Sequence, residues 1–159
     1  MLNINIISVG KLKEDYLKSA SKEYEKRISA YAKLKIFEVD EERLSDNPSE
    51  KEIEKALKTE GEKILTIAKK STIIALCIEG KEFSSVDFSK EIEKLEVSGI
   101  SDISFVIGSS FGLHNIVKES AKIKISFSRM TFPHQLCRII LLEQIYRAMN
   151  IKNKGKYHK

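Results

Sequence analysis

Residues 150–159 of the chain carry its densest group of side chains that could bind a ligand. Tyr157 and His158 stand there among four lysines, Lys152, Lys154, Lys156 and Lys159. Lysine ammonium groups bind phosphates and aromatic rings stack on bases, so this pattern is typical of a segment that contacts nucleic acid. A solvated and frayed terminus explains the same composition equally well.

Two other spacings carry weaker signals. Gly108 and Gly112 bracket a short loop, which by itself indicates a tight turn between a strand and a helix. Glu143 and Arg147 are separated by four residues in the favourable order, and an ion pair on the surface of a helix is the simplest interpretation.

Several common site patterns are absent from the sequence. It has no Walker A motif, no Gly-x-Gly-x-x-Gly after the first strand and no His-Glu-x-x-His. Cys77 and Cys137 are far apart and each lies in an apolar run, so we interpret them as buried thiols of a reduced compartment. We therefore expect neither a disulfide nor a metal site.

Charge is unevenly distributed along the 159 residues, a length that fits one domain, 1–159. The net charge is +5, but residues 1–102 carry −3 and residues 103–159 carry +8. This asymmetry indicates an anionic partner that contacts one face. No apolar run approaches the roughly 18 residues that span a bilayer, and the opening segment lacks the features of a secretion signal. We expect a cytoplasmic protein with no membrane partner.

Short apolar runs alternate with longer amphipathic ones along the chain. The predicted strands are Leu2–Val9, Leu34–Val39, Thr72–Ile78, Ile103–Ile107 and Ile123–Phe127. The predicted helices are 13–32, 48–70 with Asn47 as its cap, Val86–Leu95, His114–Ser120 and Pro133–Met149.

The alternation predicts an α/β fold in which helices sandwich a mostly parallel sheet. Thr72–Ile78 is almost entirely apolar, as expected of a strand covered on both faces. Ligands in such folds bind at the carboxyl ends of the strands. The loops 78–80, 108–112 and 127–132 follow three of these strands, so we expect them to form one site.

The last predicted helix is apolar on nearly all sides, which requires burial on most of them. A terminal helix of a small domain rarely achieves that within one chain. Burial against a second copy is the simpler explanation, and it predicts a homodimer. The alternative is a central core helix.

An ordered set of motifs spans the whole chain. It consists of Leu76–Lys81, Phe105–Gly108 with Gly112-Leu113, Ser126–His134, Glu143–Ala148 and the terminal Tyr157-His158. Each motif is weak alone, but together they resemble the RlmH family, which are small SPOUT-class methyltransferases of large-subunit ribosomal RNA. One departure is visible, because the family loop usually reads Gly-Gly-x-x-Gly and Ser109 replaces the second glycine.

The resemblance implies a SPOUT fold with a trefoil knot near the C-terminus, an exception to the rule against knots. It also implies a homodimer that uses S-adenosylmethionine, releases S-adenosylhomocysteine, and methylates N3 of a pseudouridine in a 23S rRNA stem-loop of the assembled ribosome. The implied cofactor residues are Leu76, Gly108, Phe127, Ser128, Arg129, Met130, Thr131 and Phe132. The tail 150–159 of one subunit would complete the other subunit's site.

Methyl transfer from a sulfonium requires alignment more than a nucleophile, and the N3 proton must leave. The candidate bases are His134, His158 and Tyr157 acting through water, although a capping role for His134 is at least as good an explanation. Arg147 and the tail are the candidate RNA ligands. Arg138 is more simply a residue of the dimer interface or core edge, and His114 a structural or RNA-facing one.

Two other functions are compatible with this sequence. A non-catalytic module could bind RNA or the ribosome through the basic last third, and a related SPOUT enzyme could methylate tRNA. The absence of a separate RNA-binding domain favours a substrate that supplies its own recognition surface, as an assembled ribosome would.

Overall fold

The computed structural model describes residues 1–159 and contains five strands and five helices. The strands are β1 (Leu2–Val9), β2 (Ala32–Val39), β3 (Thr72–Glu82), β4 (Asp102–Ile107) and β5 (Ile123–Ser126). The helices are α1 (Asp15–Ile28), α2 (Glu50–Ile67), α3 (Ser85–Val97), α4 (Asn115–Ser120) and α5 (His134–Lys152). Each predicted element is present, with ends that differ by a few residues.

The five strands form one parallel sheet in the order β2-β1-β4-β3-β5. Alternate strand residues serve opposite faces: Ile6 and Phe105 pack towards α1, α3 and α5, whereas Ile7 and Val106 pack towards α2 and α4. The predicted α/β sandwich is therefore confirmed. The trefoil knot stays a prediction.

Helix α2 begins two residues later than the sequence analysis expected. Ser49, and not Asn47, is the N-cap, because its hydroxyl accepts from the Glu52 amide while the Glu52 carboxylate accepts from the Ser49 amide. This capping box satisfies two amides at once, whereas an isolated asparagine cap satisfies one. The prediction of Asn47 as the cap was wrong.

Strand β3 is interrupted where it meets β5. Leu76 and Lys81 both pair with Ile125, so the four residues between them loop out of the sheet. Gly80 is the last residue of this loop, and only glycine fits there because a Cβ would overlap the Ile125 backbone. Ile78 is 58% exposed, which contradicts the prediction that the strand is covered on both faces up to this residue.

Helix α5 buries its apolar side within this chain. It packs against α1, α3 and β4, and Leu141, Leu142 and Ile145 are completely buried. The alternative of a core helix thus accounts for these three residues, whereas Leu136 is 39% exposed and Ile139 and Ile140 are only partly buried. The homodimer remains a prediction that needs other support.

Candidate functional site

A cavity of about 490 Å³ lies at the carboxyl ends of β3, β4 and β5. The three predicted loops all line it, which confirms that they converge. Of the implied cofactor residues, seven line the cavity: Leu76, Gly108, Phe127, Ser128, Met130, Thr131 and Phe132. Arg129 is the exception, since it is exposed and does not line the cavity.

The segment 127–132 forms one wall of the cavity and belongs to no helix or strand. Two local hydrogen bonds shape it: Ser126 Oγ donates to the Ser128 carbonyl at 3.0 Å, and the Met130 amide donates to Ser128 Oγ at 3.0 Å. Because no ladder engages this backbone, its remaining amides and carbonyls are available to a ligand.

The loop from Gly108 to Gly112 lines the same cavity, and its geometry explains both glycines. A Cβ on Gly108 would overlap the Gly112 carbonyl, and Gly112 has φ +90°. Ser109 has no positive φ, and its Oγ accepts from the Phe111 amide at 3.3 Å. Serine therefore replaces the usual glycine at position 109 without backbone strain.

Both cysteines line the cavity and are half-buried, so the prediction that they are buried thiols was wrong. The loop after Leu76 and the first turns of α5 bring them to the same cavity from distant parts of the chain. Burial raises the pKa of Cys77 and of Cys137. Both thiols therefore remain protonated at neutral pH and are poor nucleophiles.

His134 is the first residue of α5 and lines the cavity beside the end of β1. A Cβ on Gly10 would lie 3.6 Å from His134 Nε2 and 3.8 Å from a Glu41 carboxylate oxygen. The imidazole is half-buried, so a substrate at the cavity can reach it. His114, by contrast, caps α4: its Nδ1 accepts from the Ile116 amide at 3.0 Å.

Arg138 is 3% exposed and holds α5 against the ends of β1 and β2. Its Nη1 lies 2.9 Å from Glu38 Oε2, and its Nη2 donates to Ser8 Oγ at 3.2 Å and to the Gly10 carbonyl at 3.0 Å. These contacts confirm the interpretation of Arg138 as a core-edge residue. They also fix the turn of α5 that presents His134.

Four side chains meet at the other end of α5, and we call them the tail cluster: Glu143, Arg147, Tyr157 and His158. Arg147 Nε lies 2.9 Å from Glu143 Oε1, Tyr157 Oη donates to that same oxygen at 3.1 Å, and Arg147 Nη1 lies 3.1 Å from His158 Nδ1. The Arg147 guanidinium also lies 4.7 Å from the centre of the Tyr157 ring. The tail is therefore packed on α5 and not frayed.

Protonation in the tail cluster follows from these contacts. Burial and the hydrogen bond to Glu143 raise the pKa of Tyr157, so its phenol stays neutral. The hydrogen bond to Glu143 also raises the pKa of Arg147, which keeps its charge. Because a guanidinium only donates, His158 Nδ1 must accept, and the ring hydrogen resides on Nε2. The cluster thus presents donors more readily than a base.

The cavity and the tail cluster lie far apart within one chain. His134 and Arg147 are separated by 13 residues of continuous helix, which corresponds to about 20 Å. The structure brings seven implied cofactor residues together with His134, and it brings Arg147 together with Tyr157 and His158. It does not bring the two groups together.

Sequence reasoning missed two residues of the tail region. Glu143 was interpreted as half of a surface pair, yet its side chain is only 17% exposed and it accepts from both Arg147 and Tyr157. Asn150 is 6% exposed and accepts from the Tyr157 amide. The sequence could have indicated Asn150, because it is a polar residue within the apolar pattern of the last helix.

Two features of the structure concern metal ions and membranes. Nowhere do three or more His, Cys, Asp or Glu side chains converge as metal ligands would. None of the helices combines the length and the apolar character that crossing a membrane requires.

Sequence comparison finds close relatives over the full length. A family profile described as "Predicted SPOUT methyltransferase" matches residues 2–158. The chain is 47% identical, over 159 residues, to a Streptococcus pneumoniae protein named ribosomal RNA large subunit methyltransferase H, covering 99% of this chain and 100% of that protein. A Methanococcus maripaludis relative that bears this name with a provisional qualifier is 54% identical over 159 residues, with the same 99% and 100% coverage.

Solved structures share the fold at much lower identity. A protein from Bordetella pertussis described as a probable methyltransferase is 13% identical with a TM-score of 0.56, and the match covers 93% of this chain and 96% of that chain. A tRNA methyltransferase from Aquifex aeolicus is 12% identical with a TM-score of 0.53, over 91% of this chain and 69% of that chain. At these identities the likeness shows the fold alone.

Proposed function

This chain belongs to the SPOUT methyltransferase family, and from that premise we propose that it methylates N3 of a pseudouridine in a 23S rRNA stem-loop. The resemblance to RlmH enzymes is confirmed by the full-length relatives that carry the name ribosomal RNA large subunit methyltransferase H. The observation that carries the proposal is the cavity, which gathers seven residues that the resemblance assigns to the cofactor.

The cofactor in this proposal is S-adenosylmethionine, with S-adenosylhomocysteine as the product. When bound, its sulfonium supplies an activated methyl group. The residues present fit it: a cavity of about 490 Å³ is within the usual range for small-molecule sites, and its walls combine apolar side chains with the free backbone of 127–132. Backbone amides and carbonyls at 127–132 and near Gly108 would read the adenine and ribose, and Leu76 would cover an apolar surface.

Deprotonation of N3 needs an acceptor near the cavity, and His134 is the group of the same chain that stands there. Negative charge then spreads onto the uracil carbonyl oxygens. Arg147 and the Nε2–H of His158 are suited to donate to those oxygens, because the tail cluster presents them as hydrogen-bond donors. We therefore assign proton transfer to His134 and charge stabilisation to the tail cluster.

The site is composite, and the enzyme is a homodimer, in this proposal. The supporting observation is the separation of about 20 Å between His134 and Arg147 along α5, which one chain alone cannot close. Exposed apolar side chains beside the cavity offer a surface for the second copy: Met130 is 74% exposed and Leu136 39% exposed. A partner docked there would bring its own tail 150–159 to this cavity.

The remaining assignments follow from the proposed reaction. Residues 1–159 act as one SPOUT domain with a trefoil knot near the cofactor loops, and the protein works in the cytoplasm on the assembled ribosome. The basic residues 103–159 contact RNA phosphates.

The proposal is tested in two steps. Titration calorimetry with S-adenosylmethionine should give saturable binding, and its absence would support a non-catalytic RNA-binding module. Radiolabelled methyl transfer is then measured on 70S ribosomes, free large subunits and bulk tRNA from a strain lacking the gene, with the modified base located by mass spectrometry. We expect 23S rRNA in 70S ribosomes to accept the methyl group, and labelling of tRNA alone would contradict the proposal.

A further inference from the structure

The end of α5 turns sharply to lay the tail back on the helix. The Gly155 amide donates to the Asn150 carbonyl at 2.8 Å, and the Lys154 amide donates to the Ile151 carbonyl at 3.0 Å. Lys154 has φ 57°, the left-handed conformation that such a turn requires. These bonds reverse the chain direction, but they do not by themselves determine where Tyr157 and His158 lie.

The Asn150 side chain makes the contact that extends past the turn. Its Oδ1 accepts from the Tyr157 amide at 3.0 Å, and its Nδ2 donates to the Tyr31 hydroxyl at 3.4 Å. The residue is 6% exposed, so this amide is a buried polar group whose bonds are directed to the tail and to the residue that precedes β2.

Gly155 and Asn150 fit each other by shape as well as by hydrogen bonding. A Cβ on Gly155 would overlap the Nδ2, Oδ1 and Cγ atoms of Asn150. All three overlapping atoms belong to the part of Asn150 that alanine lacks. The tail can therefore lie against the helix only while position 155 has no side chain, or while position 150 has a short one.

From this arrangement we propose that Asn150 and Gly155 form a clasp that orders the tail before it reaches the partner's cavity. The clasp fixes the Tyr157 amide, and with it the Tyr157 ring, which lies 4.7 Å from both the Arg147 guanidinium and the Tyr146 ring. Asn150 and Gly155 are positioning residues, because they act through Arg147, Tyr157 and His158. The inference rests on the proposed function of the tail.

Pre-ordering matters because the tail must place its donors accurately on a developing charge. A displacement of about 1 Å at such a site lowers the rate of the chemical step by up to about 100-fold. The clasp lies at the far end of α5 from the cavity of its own chain, so its loss should not change cofactor affinity. Loss of the clasp should therefore lower kcat more than it raises KM for ribosomes.

The test is a double-mutant cycle in the full-length protein with Asn150→Ala, Gly155→Ala and the double variant. Each single variant should lower kcat about 10- to 100-fold, and the double variant should be no worse than Asn150→Ala, because alanine at 150 removes the atoms that the new Cβ would overlap. Asn153→Ala is the matched control: the side chain of this exposed asparagine donates to the Met149 carbonyl and forms no hydrogen bond with Tyr157 or His158.

Two further measurements separate this inference from the proposed function. Amide hydrogen exchange at Tyr157 should become faster in Asn150→Ala and stay unchanged in Asn153→Ala, and calorimetry should give the same affinity for S-adenosylmethionine in all variants. Wild-type kcat in Asn150→Ala, unchanged exchange at Tyr157, or additive losses in the double variant would overturn the clasp. A wild-type protein that methylates no rRNA would instead overturn the proposed function.

Discussion

The cavity and the tail cluster, at opposite ends of α5, differ in what they are made of. The cavity is built largely from loops whose backbone is free, with glycines where chain segments meet closely. The tail cluster is built from the charged and aromatic side chains of Glu143, Arg147, Tyr157 and His158. The cavity is suited to hold a small molecule by its shape and backbone, and the tail cluster is suited to stabilise charge.

This division has a structural consequence. The cavity lies among the carboxyl ends of three strands and needs only one chain to be complete. The tail cluster is held by hydrogen bonds within its own chain, about 20 Å along α5 from that cavity. Each chain thus carries a cavity and a tail cluster that cannot contact each other. This arrangement is the one expected if two copies associate so that the tail of each reaches the cavity of the other.

The largest effect should come from Arg147→Ala. Removing the guanidinium should lower kcat about 100- to 1000-fold, as the loss of one donor to a developing charge typically does. Affinity for S-adenosylmethionine should not change. Single-turnover methyl transfer, by stopped flow where needed, measures the rate, and calorimetry measures the cofactor affinity.

The matched variants for Arg147 are Arg147→Lys and Lys159→Ala. Lysine keeps the charge but cannot form the two-pronged contact with Glu143, so an intermediate loss is expected. Lys159 is exposed at the end of the same tail, and its replacement should leave kcat within about twofold. A loss of cofactor affinity in Arg147→Ala would contradict the claim that the cavity binds the cofactor and the tail cluster acts on charge.

Gly108→Ala should lower cofactor affinity, whereas Arg147→Ala should lower kcat. A Cβ would overlap the Gly112 carbonyl and distort the loop, so affinity for S-adenosylmethionine should fall about 10- to 100-fold, equivalent to about 1.4–2.8 kcal/mol. Phe111→Ala, in the same loop but with a side chain that is 48% exposed and does not line the cavity, should bind normally. Hydrogen exchange at the Tyr157 amide should be unaffected in both, and a disordered tail in Gly108→Ala would show that the regions are not independent.

The third effect concerns salt. Lys156 and Lys159 in the tail are exposed and form no ion pair, so they are available to phosphates. Replacing both by glutamine should reduce the slope of log affinity for the rRNA stem-loop against log salt concentration by about 1.4–1.8. Lys55→Gln with Lys58→Gln, exposed on α2, should leave the slope unchanged. Equal slopes for the two double variants would contradict a role of the tail in RNA binding.

The smallest effect involves neither region. Burial raises the pKa of Glu60, whose Oε1 has no hydrogen-bond partner. The native chain therefore binds this proton more tightly than the unfolded chain, and stability falls as the pH rises from the unfolded value through the folded one. Glu60→Gln should raise the unfolding midpoint at pH 7 by about 2–4 °C, with the gain shrinking in acid.

Thermal melts between pH 4 and pH 7.5 check the Glu60 prediction. Glu62→Gln, exposed on the same helix, is the control, and its unfolding midpoint should match that of the wild type at each pH. A constant gain for Glu60→Gln at every pH would show that the charge is not responsible. Methyl transfer should be unchanged in both variants, since Glu60 lies in neither the cavity nor the tail cluster.

The sequence was informative where local patterns decide the structure. Strand and helix periodicity gave the parallel sheet, and the rule for strand ends gave the three loops around the cavity. The assignment of Leu76, Gly108 and 127–132 to one place required the family resemblance. Composition alone did not distinguish those loops from ordinary turns.

The errors arose where distant residues meet. The bonds of Asn150 to Tyr31 and Tyr157 depend on the final path of the chain, and no local spacing reveals them. Cys77 and Cys137 lie in apolar runs, yet the four-residue loop in β3 and the start of α5 bring both to the cavity wall. Helices α1 and α3 cover part of α5, and no local spacing shows whether this cover comes from the same chain or from a second copy.

The most direct test of a composite site is complementation between two inactive chains. One carries Arg147→Ala and an intact cavity, and the other carries Gly108→Ala and an intact tail. At an S-adenosylmethionine concentration that saturates the wild-type site but not the Gly108→Ala site, each homodimer should be nearly inactive. Co-refolded equal mixtures should then recover roughly a quarter of wild-type methyl transfer, because half of the dimers are hybrids with one complete site of two. A mixture as inactive as its two components would contradict exchange of the tail between chains.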